Sequence, residues 1–331
     1  MNGVLTCARG TSQDLTPDPS DPRPFTGTSQ APRPGRGDNS TMLSSNLLAK
    51  RIDWASSTVA DVHSITLESA EQNSDLESRQ DWLVLRDMYE RAHEHTAGAV
   101  TCITIGNVAS AEALCRTSLE SSITLHYVSV NDIFTVVAGY FQSYIVSEKE
   151  QNRKWHNSIE ASGFDESVQL AHRAELNKKE SALKRYQTTL GAWLDQIGSV
   201  SLGSSPKWPS VFDRFKEIGK ELSYRTVYAA LCSQSHADAE DIINHLMSRL
   251  LSSDTSARKD YHKMLQRENE WFSTLMIAFA IEEYIEATAM FLGKFNILPV
   301  RKFQSLAAEA RGVQASLIDE EKRLIAGCNH A

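Results

Sequence analysis

Proline costs about 3 kcal/mol inside a helix, and its distribution divides this chain of 331 residues in two. Six of the nine prolines lie between Pro17 and Pro34, in runs such as DPSDPRP and APRPGRG. From Met42 onward only Pro206, Pro209 and Pro299 remain. The first part cannot propagate a helix and holds too few large apolar residues to bury a core. It reads as a disordered tail over residues 1–41. The remainder, 42–331, is free to be helical almost throughout, and a single helical domain is expected there.

The apolar spacing agrees. Ile133, Phe134, Val137, Phe141, Tyr144 and Ile145 recur at three- and four-residue steps, as do Met264, Leu265, Phe272, Leu275, Met276 and Phe279. No alternating run bounded by turn residues suggests a strand. The pattern predicts helices near 42–72, 76–105, 107–129, 132–157, 165–197, 209–219, 221–235, 238–252, 258–293 and 299–326. The fold class is all-α, a multi-helix bundle of about ten helices. Asn131-Asp132 and Asp165 stand where helices begin, and Pro209 stands where a first-turn proline belongs. The stretch 165–185, rich in Lys, Arg and Glu, reads as a solvated arm.

Composition narrows the function classes. A net charge of −8 is a poor match for broad phosphate-backbone binding, so RNA is a candidate to which the charge does not point. The most apolar run, WFSTLMIAFAI (271–281), has 11 residues. A bilayer span needs about 20, so this run reads as a buried helix and no membrane association is expected. No export signal precedes it. Five cysteines without a C-x-x-C pair fit neither a disulfide framework nor a thiolate zinc site, and reduced thiols in the cytoplasm are the simplest reading. Arg36-Gly37-Asp38 and the Asn39-Ser40-Thr41 sequon would matter only in an exported protein. Because composition changes at Met42, that residue is a candidate for the true initiator. Phosphate-cradling glycine loops, H-E-x-x-H and G-x-S-x-G are all missing, and no cofactor is expected.

Three constellations could carry chemistry. In AEALCRTSLESSITLHY, Glu112, Arg116 and Glu120 form a four-residue stripe on a helix otherwise made of aliphatic and small residues. Such a helix is buried on most sides, so the stripe reads as a packed ionic network, as a site, or as a plain exposed ion-pair ladder. In YRTVYAALCSQSH, Tyr224, Tyr228, Cys232 and His236 also fall four apart, drifting about 40° per step, with Ser235 beside them. His236 closes the predicted helix, where a polar group is accessible and an imidazole can be tuned. The third is Glu90-x-x-His93, one half of a di-iron carboxylate signature. A second Glu-x-x-His is absent, so no metal site is expected.

The first two constellations together resemble a bacterial, all-helical family of unknown function. Arg116, Leu119 and Glu120 match its Arg-x-x-[Leu/Phe]-Glu helix. Tyr228, Leu231 and His236 match its Tyr-x-x-Leu-Ser-x-x-x-His helix, with Cys232 in the serine position. The resemblance spans roughly residues 76–252 and leaves 258–331 as additional C-terminal helices. That family is distantly similar to the HEPN superfamily, many members of which are ribonucleases of toxin–antitoxin and antiphage systems. Their signature of an arginine, four to six residues and a histidine is absent before His236, where Leu231, Ala230 and Ala229 stand.

Two functions follow as expectations. One is a non-catalytic interaction or regulatory module with a buried polar network, which leaves a protein partner or a homodimer open. The other is a degenerate HEPN-like ribonuclease or antiphage effector using Arg116, Glu120 and His236 as catalytic groups, with Tyr224, Tyr228, Cys232 and Ser235 lining the binding site. Whether the chain is an enzyme is undecided by its residues. Either way, the helices bearing Arg116 and His236 are expected to pack together.

Overall fold

The computed structural model describes residues 39–198, 201–235, 243, 246 and 255–328. The expected tail falls almost wholly outside this range, as do His236 and most of the helix expected over 238–252. Every described element is helical. They are α1 (Asn39–Glu71), α2 (Gln80–Thr104), α3 (Val108–Val130), α4 (Ile133–Ala161) and α5 (Glu166–Gln196). There follow α6 (Val211–Glu217), α7 (Glu221–Ser223), a π-helical turn (Tyr224–Tyr228) and α8 (Ala229–Ser235). The long α9 (Thr255–Lys294) and α10 (Val300–Cys328) complete the set. Short 3₁₀ turns cover Ser74–Ser78 and Leu202–Ser204. The protein is an all-α, multi-helix bundle, and no described helix is long and apolar enough to cross a membrane.

α3 is the centre. It packs most extensively against α2 and α9, and also meets α6 and α8. Its buried positions lie on every side: Ala111, Cys115, Ser118, Leu119, Ser122 and Leu125 are all within 1% of full burial. A helix apolar or small all round must be enclosed, and neighbours come close because serine and alanine take little space. The apolar run of α9 supplies the opposite wall through Leu275, Met276, Ile277, Ala278, Ala280 and Ile281. Below it, Trp82 of α2 stacks on Phe291 at 4.9 Å and meets the edge of Phe295 at 5.1 Å. Arg51 of α1 reaches Glu320 of α10 at 2.7 Å.

α4 and α5 form a hairpin, and α5 is exposed along most of its length apart from Leu176, Leu183 and Leu194. The base of α4 touches the loop ahead of α6 at one tight point. A Cβ added to Gly139 would lie 2.6 Å from the carbonyl oxygen of Pro206. The clash is with backbone, which cannot turn aside as a side chain can. Gly139→Ala is therefore expected to lower the unfolding free energy by about 1–3 kcal/mol, read by urea denaturation. An unchanged midpoint would show that the loop yields freely.

One local expectation is corrected. Pro209 does not open α6. Ser210 is the N-cap: its hydroxyl accepts from the Asp213 amide at 3.2 Å, and the Asp213 carboxylate accepts from the Ser210 amide at 3.3 Å. A reciprocal capping box needs a side-chain oxygen at the cap. Pro209, one residue earlier, instead offers its carbonyl to Arg214 at 2.9 Å.

Candidate functional site

Three elements bring the candidate residues together. α3 supplies Arg116 and Glu120, the π turn supplies Tyr228, and α6 adds Arg214. The Tyr228 hydroxyl donates to Glu120 Oε2 at 3.2 Å. The Arg116 guanidinium sits 5.7 Å from the centre of the Tyr228 ring. The other Glu120 oxygen, Oε1, lies 4.0 Å from Arg214 Nη2, within reach of an ion pair but too far for a hydrogen bond. Burial pushes the Tyr228 phenol up to about 12, against the opposing hydrogen bond with Arg116, and the nearby Glu120 carboxylate also raises it. The same bond with Tyr228 raises Arg116 above its already high range. At neutral pH the site therefore holds a neutral phenol between a cation and an anion.

The expected charged stripe on α3 does not stay together. Successive four-residue steps drift about 40° each around a helix, so its ends part by about 80°. Glu112 is 7% exposed and turns into the core, where the Ser273 hydroxyl of α9 donates to it. Glu120 turns outward, with a side chain 40% exposed. α3 is thus buried on most sides, with Glu112 turned into the core and Glu120 on the side left open.

The residues of the second constellation also separate. Tyr224 stacks on Tyr228 at 5.2 Å but belongs to an aromatic cluster with Phe212 and Phe215, at 5.0 and 5.5 Å. Cys232, half-buried on α8, lies near enough to Arg116 and Tyr228 to act on both electrostatically. Ser235 ends α8, and its side chain, like the whole of His236, lies outside the described residues.

Sequence reasoning missed Arg214. It is 4% exposed, donates from Nη1 to the Pro209 carbonyl and lies 4.8 Å above the Trp208 ring. Burial lowers its pKa, with Glu120 opposing the shift. Its signal was available: in VFDRF an arginine stands between Phe212 and Phe215 on a helix too short to have a fully exposed face. Arg214 and Glu120 line a cleft of about 1030 Å³ bounded also by α2 and α4.

The Glu90-x-x-His93 pair divides as well. Glu90 faces outward to Arg86 at 3.7 Å. His93 joins a buried chain in which its Nδ1 lies 3.1 Å from the Tyr284 hydroxyl, Tyr284 donates to Tyr89 at 3.1 Å, and Tyr89 meets His63 Nδ1 at 2.9 Å. With Tyr284 donating to Tyr89, proton count makes His93 Nδ1 a donor to Tyr284. The two imidazoles stack at 4.0 Å. Burial and the neighbouring His63 lower His93 to about 4, so the ring is neutral at physiological pH. Among the described residues, no group of three or more His, Cys, Asp or Glu is placed to hold a metal ion.

These two helix patterns lie inside a recognised region. A family of unknown function, DUF5677, matches residues 82–254, just over half of the chain. The chain belongs to this family. The DUF5677 region opens at Trp82 in α2, includes the whole Arg116–Glu120–Tyr228–Arg214 site and ends before α9, so the core wall formed by α9 lies beyond it. No curated protein and no solved structure matches the chain.

Proposed function

We propose that this DUF5677 protein is a non-catalytic, cytoplasmic interaction or regulatory module. In this reading the Arg116–Glu120–Tyr228 network fixes α3, one wall of the cleft, against the π turn behind it. The observation that carries it is the bond from Tyr228 to Glu120, with Arg116 against the same phenol. A group poised for proton transfer near neutrality has a pKa near 7, whereas Tyr228 is driven away from it and its hydroxyl is engaged between helices.

The second reading is the HEPN-like ribonuclease or antiphage effector using Arg116, Glu120 and His236. It draws support from the approach of α3 to the π turn and α8, the segment that leads directly to His236.

Arg116→Ala separates the two. Glu120 is partly exposed and keeps Tyr228 and Arg214, so the loss of stability should be about 1–2 kcal/mol by chemical denaturation. The non-catalytic reading expects wild type and Arg116→Ala to behave alike in growth on overexpression and in RNA cleavage. Cleavage or growth arrest by wild type, abolished in a folded Arg116→Ala, would replace it with the second reading.

A further inference from the structure

One lysine joins three parts of the bundle. Lys220 lies between α6, which carries Arg214, and the π turn, which carries Tyr228. Its amide donates to the Phe215 carbonyl of α6 at 2.7 Å, and its carbonyl accepts from the Tyr224 amide at the start of the π turn at 3.2 Å. Phe215, fully buried, lies 5.5 Å from both the Tyr224 and the Tyr228 rings. The backbone of Lys220 is therefore a joint that ties α6 to the π turn. Single π turns are rare and are found frequently at functional sites.

The side chain of Lys220 fastens that joint to α9. Its ammonium donates to Glu283 at 3.1 Å and also to Glu286. Glu283 is 4% exposed, and its second oxygen has no hydrogen-bond partner among the described residues. The charged and titratable groups that face this cluster are Lys220 from the joint, Glu282 and Glu286 along α9, and His126 from α3. His126 is buried as well, and its Nδ1 has no hydrogen-bond partner among the described residues. Arg311 of α10 is taken up by Glu282 at 3.3 Å and Glu286 at 3.8 Å, which leaves Lys220 to answer the charge of Glu283.

A buried anion with a bare oxygen is costly, and a neutral carboxyl in its place costs less. Burial raises Glu283 to about 7 against the pull of Lys220, so both forms are populated near neutrality. Lifting the joint is the movement that admits water to this carboxyl. The seated form holds the proton more tightly than a hydrated one, so seating is favoured at low pH and weakens as pH rises from about 4.5 to about 7. Resting on the reading of the Arg116–Glu120–Tyr228 network as the contact that fixes α3 against the π turn, we propose that Glu283 is a proton-operated latch on that network. With Glu283 protonated, the joint stays seated and Tyr228 stays on Glu120. Its ionisation loosens the joint, draws Tyr228 from Glu120 and shifts Arg214 in the wall of the cleft.

The test is NMR of the full-length protein carrying carbon-13 at the tyrosine ζ position, titrated from about pH 5 to about pH 8.5. The Tyr228 resonance is assigned by its loss in Tyr228→Phe. Its phenol is pushed up to about 12 and stays protonated over this range, so a moving resonance reports the contact with Glu120 and not its own ionisation. Wild type is expected to show one step centred near pH 7. In Glu283→Gln, which keeps an oxygen for Lys220, the resonance should stay at the acid position of the wild type throughout. Because Lys220→Met can fail to fold, Glu283→Gln carries the test. A Tyr228 resonance that does not move, or a step that survives in Glu283→Gln and so arises from His126 or Cys232, would overturn the latch and leave the non-catalytic reading in place. RNA cleavage by wild type that is lost in Arg116→Ala would replace that reading and leave the latch standing.

Discussion

Lys220→Met is expected to lower the unfolding free energy by about 3–5 kcal/mol at neutral pH, the cost of removing one partner from a buried ion pair. Lys220 follows α6 and reaches across to α9, where its ammonium donates to Glu283 at 3.1 Å and also to Glu286. Glu283 is 4% exposed, and its second oxygen has no partner among the described residues. Burial pushes Glu283 up to about 7 despite Lys220, with Glu286 and Glu282 adding to the rise. Burial lowers Lys220, but the two carboxylates outweigh it and leave its pKa raised. His126, also buried, faces the same cluster and is held low by its burial and by Lys220.

The sign of the pH effect follows from these directions. A carboxyl raised above its ordinary 4.5 in the folded state is favourable while protonated, and its contribution to stability falls as pH rises from about 4.5 to about 7. In Lys220→Met the Glu283 carboxyl loses its counter-charge, so the penalty is largest when it must ionise. The deficit against wild type should shrink on going from pH 7.5 to pH 5. Glu283→Gln keeps an oxygen for Lys220 and removes the titration, so it should be far milder than Lys220→Met and flatten the pH dependence between those values. Denaturation curves of the three proteins at both pH values give the answer. A Lys220→Met deficit that stays constant with pH would show that packing, not charge, holds this contact.

Trp82→Ala should have a comparable effect, a loss of about 3–5 kcal/mol from transfer and cavity terms together. Trp82 is 1% exposed and lies against Phe291 and Phe295, so its removal empties the place where the start of α2 meets the end of α9. Its indole N–H donates to Glu77 at 3.2 Å, and that carboxylate would keep Arg86. Trp82→Phe retains most of the volume and should recover more than half of the loss. Thermal and urea unfolding of both variants would check this, and equal destabilisation by Ala and Phe would assign the effect to the lost hydrogen bond.

The sequence by itself determined the all-α class, and most helix limits lie within a few residues of those expected. α3 is a clear case, expected over 107–129 and observed at Val108–Val130. Both signals used there are local: proline forbids helix, and three- and four-residue apolar spacing marks the face to be buried. The pairing of Arg116 and Glu120 with Tyr228 was partly legible too, because polar side chains on mostly apolar helices must satisfy one another.

Only the tertiary structure decided which polar group meets which. Glu112 and Glu120 are equivalent in spacing about Arg116, yet one enters the core beside Ser273 and the other opens on a cleft, because α9 covers one side of α3 and α6 leaves the other partly uncovered. Arg214 could be placed at that cleft only once the loop ending in Trp208 and Pro209 was seen to fold over it. Lys220 and Glu283, 63 residues apart in the chain, meet for the same reason. Helix periodicity reports which face of a segment is buried. It carries no record of the distant segment that buries it, and a charge buried without its partner is too costly for the fold to leave that choice open.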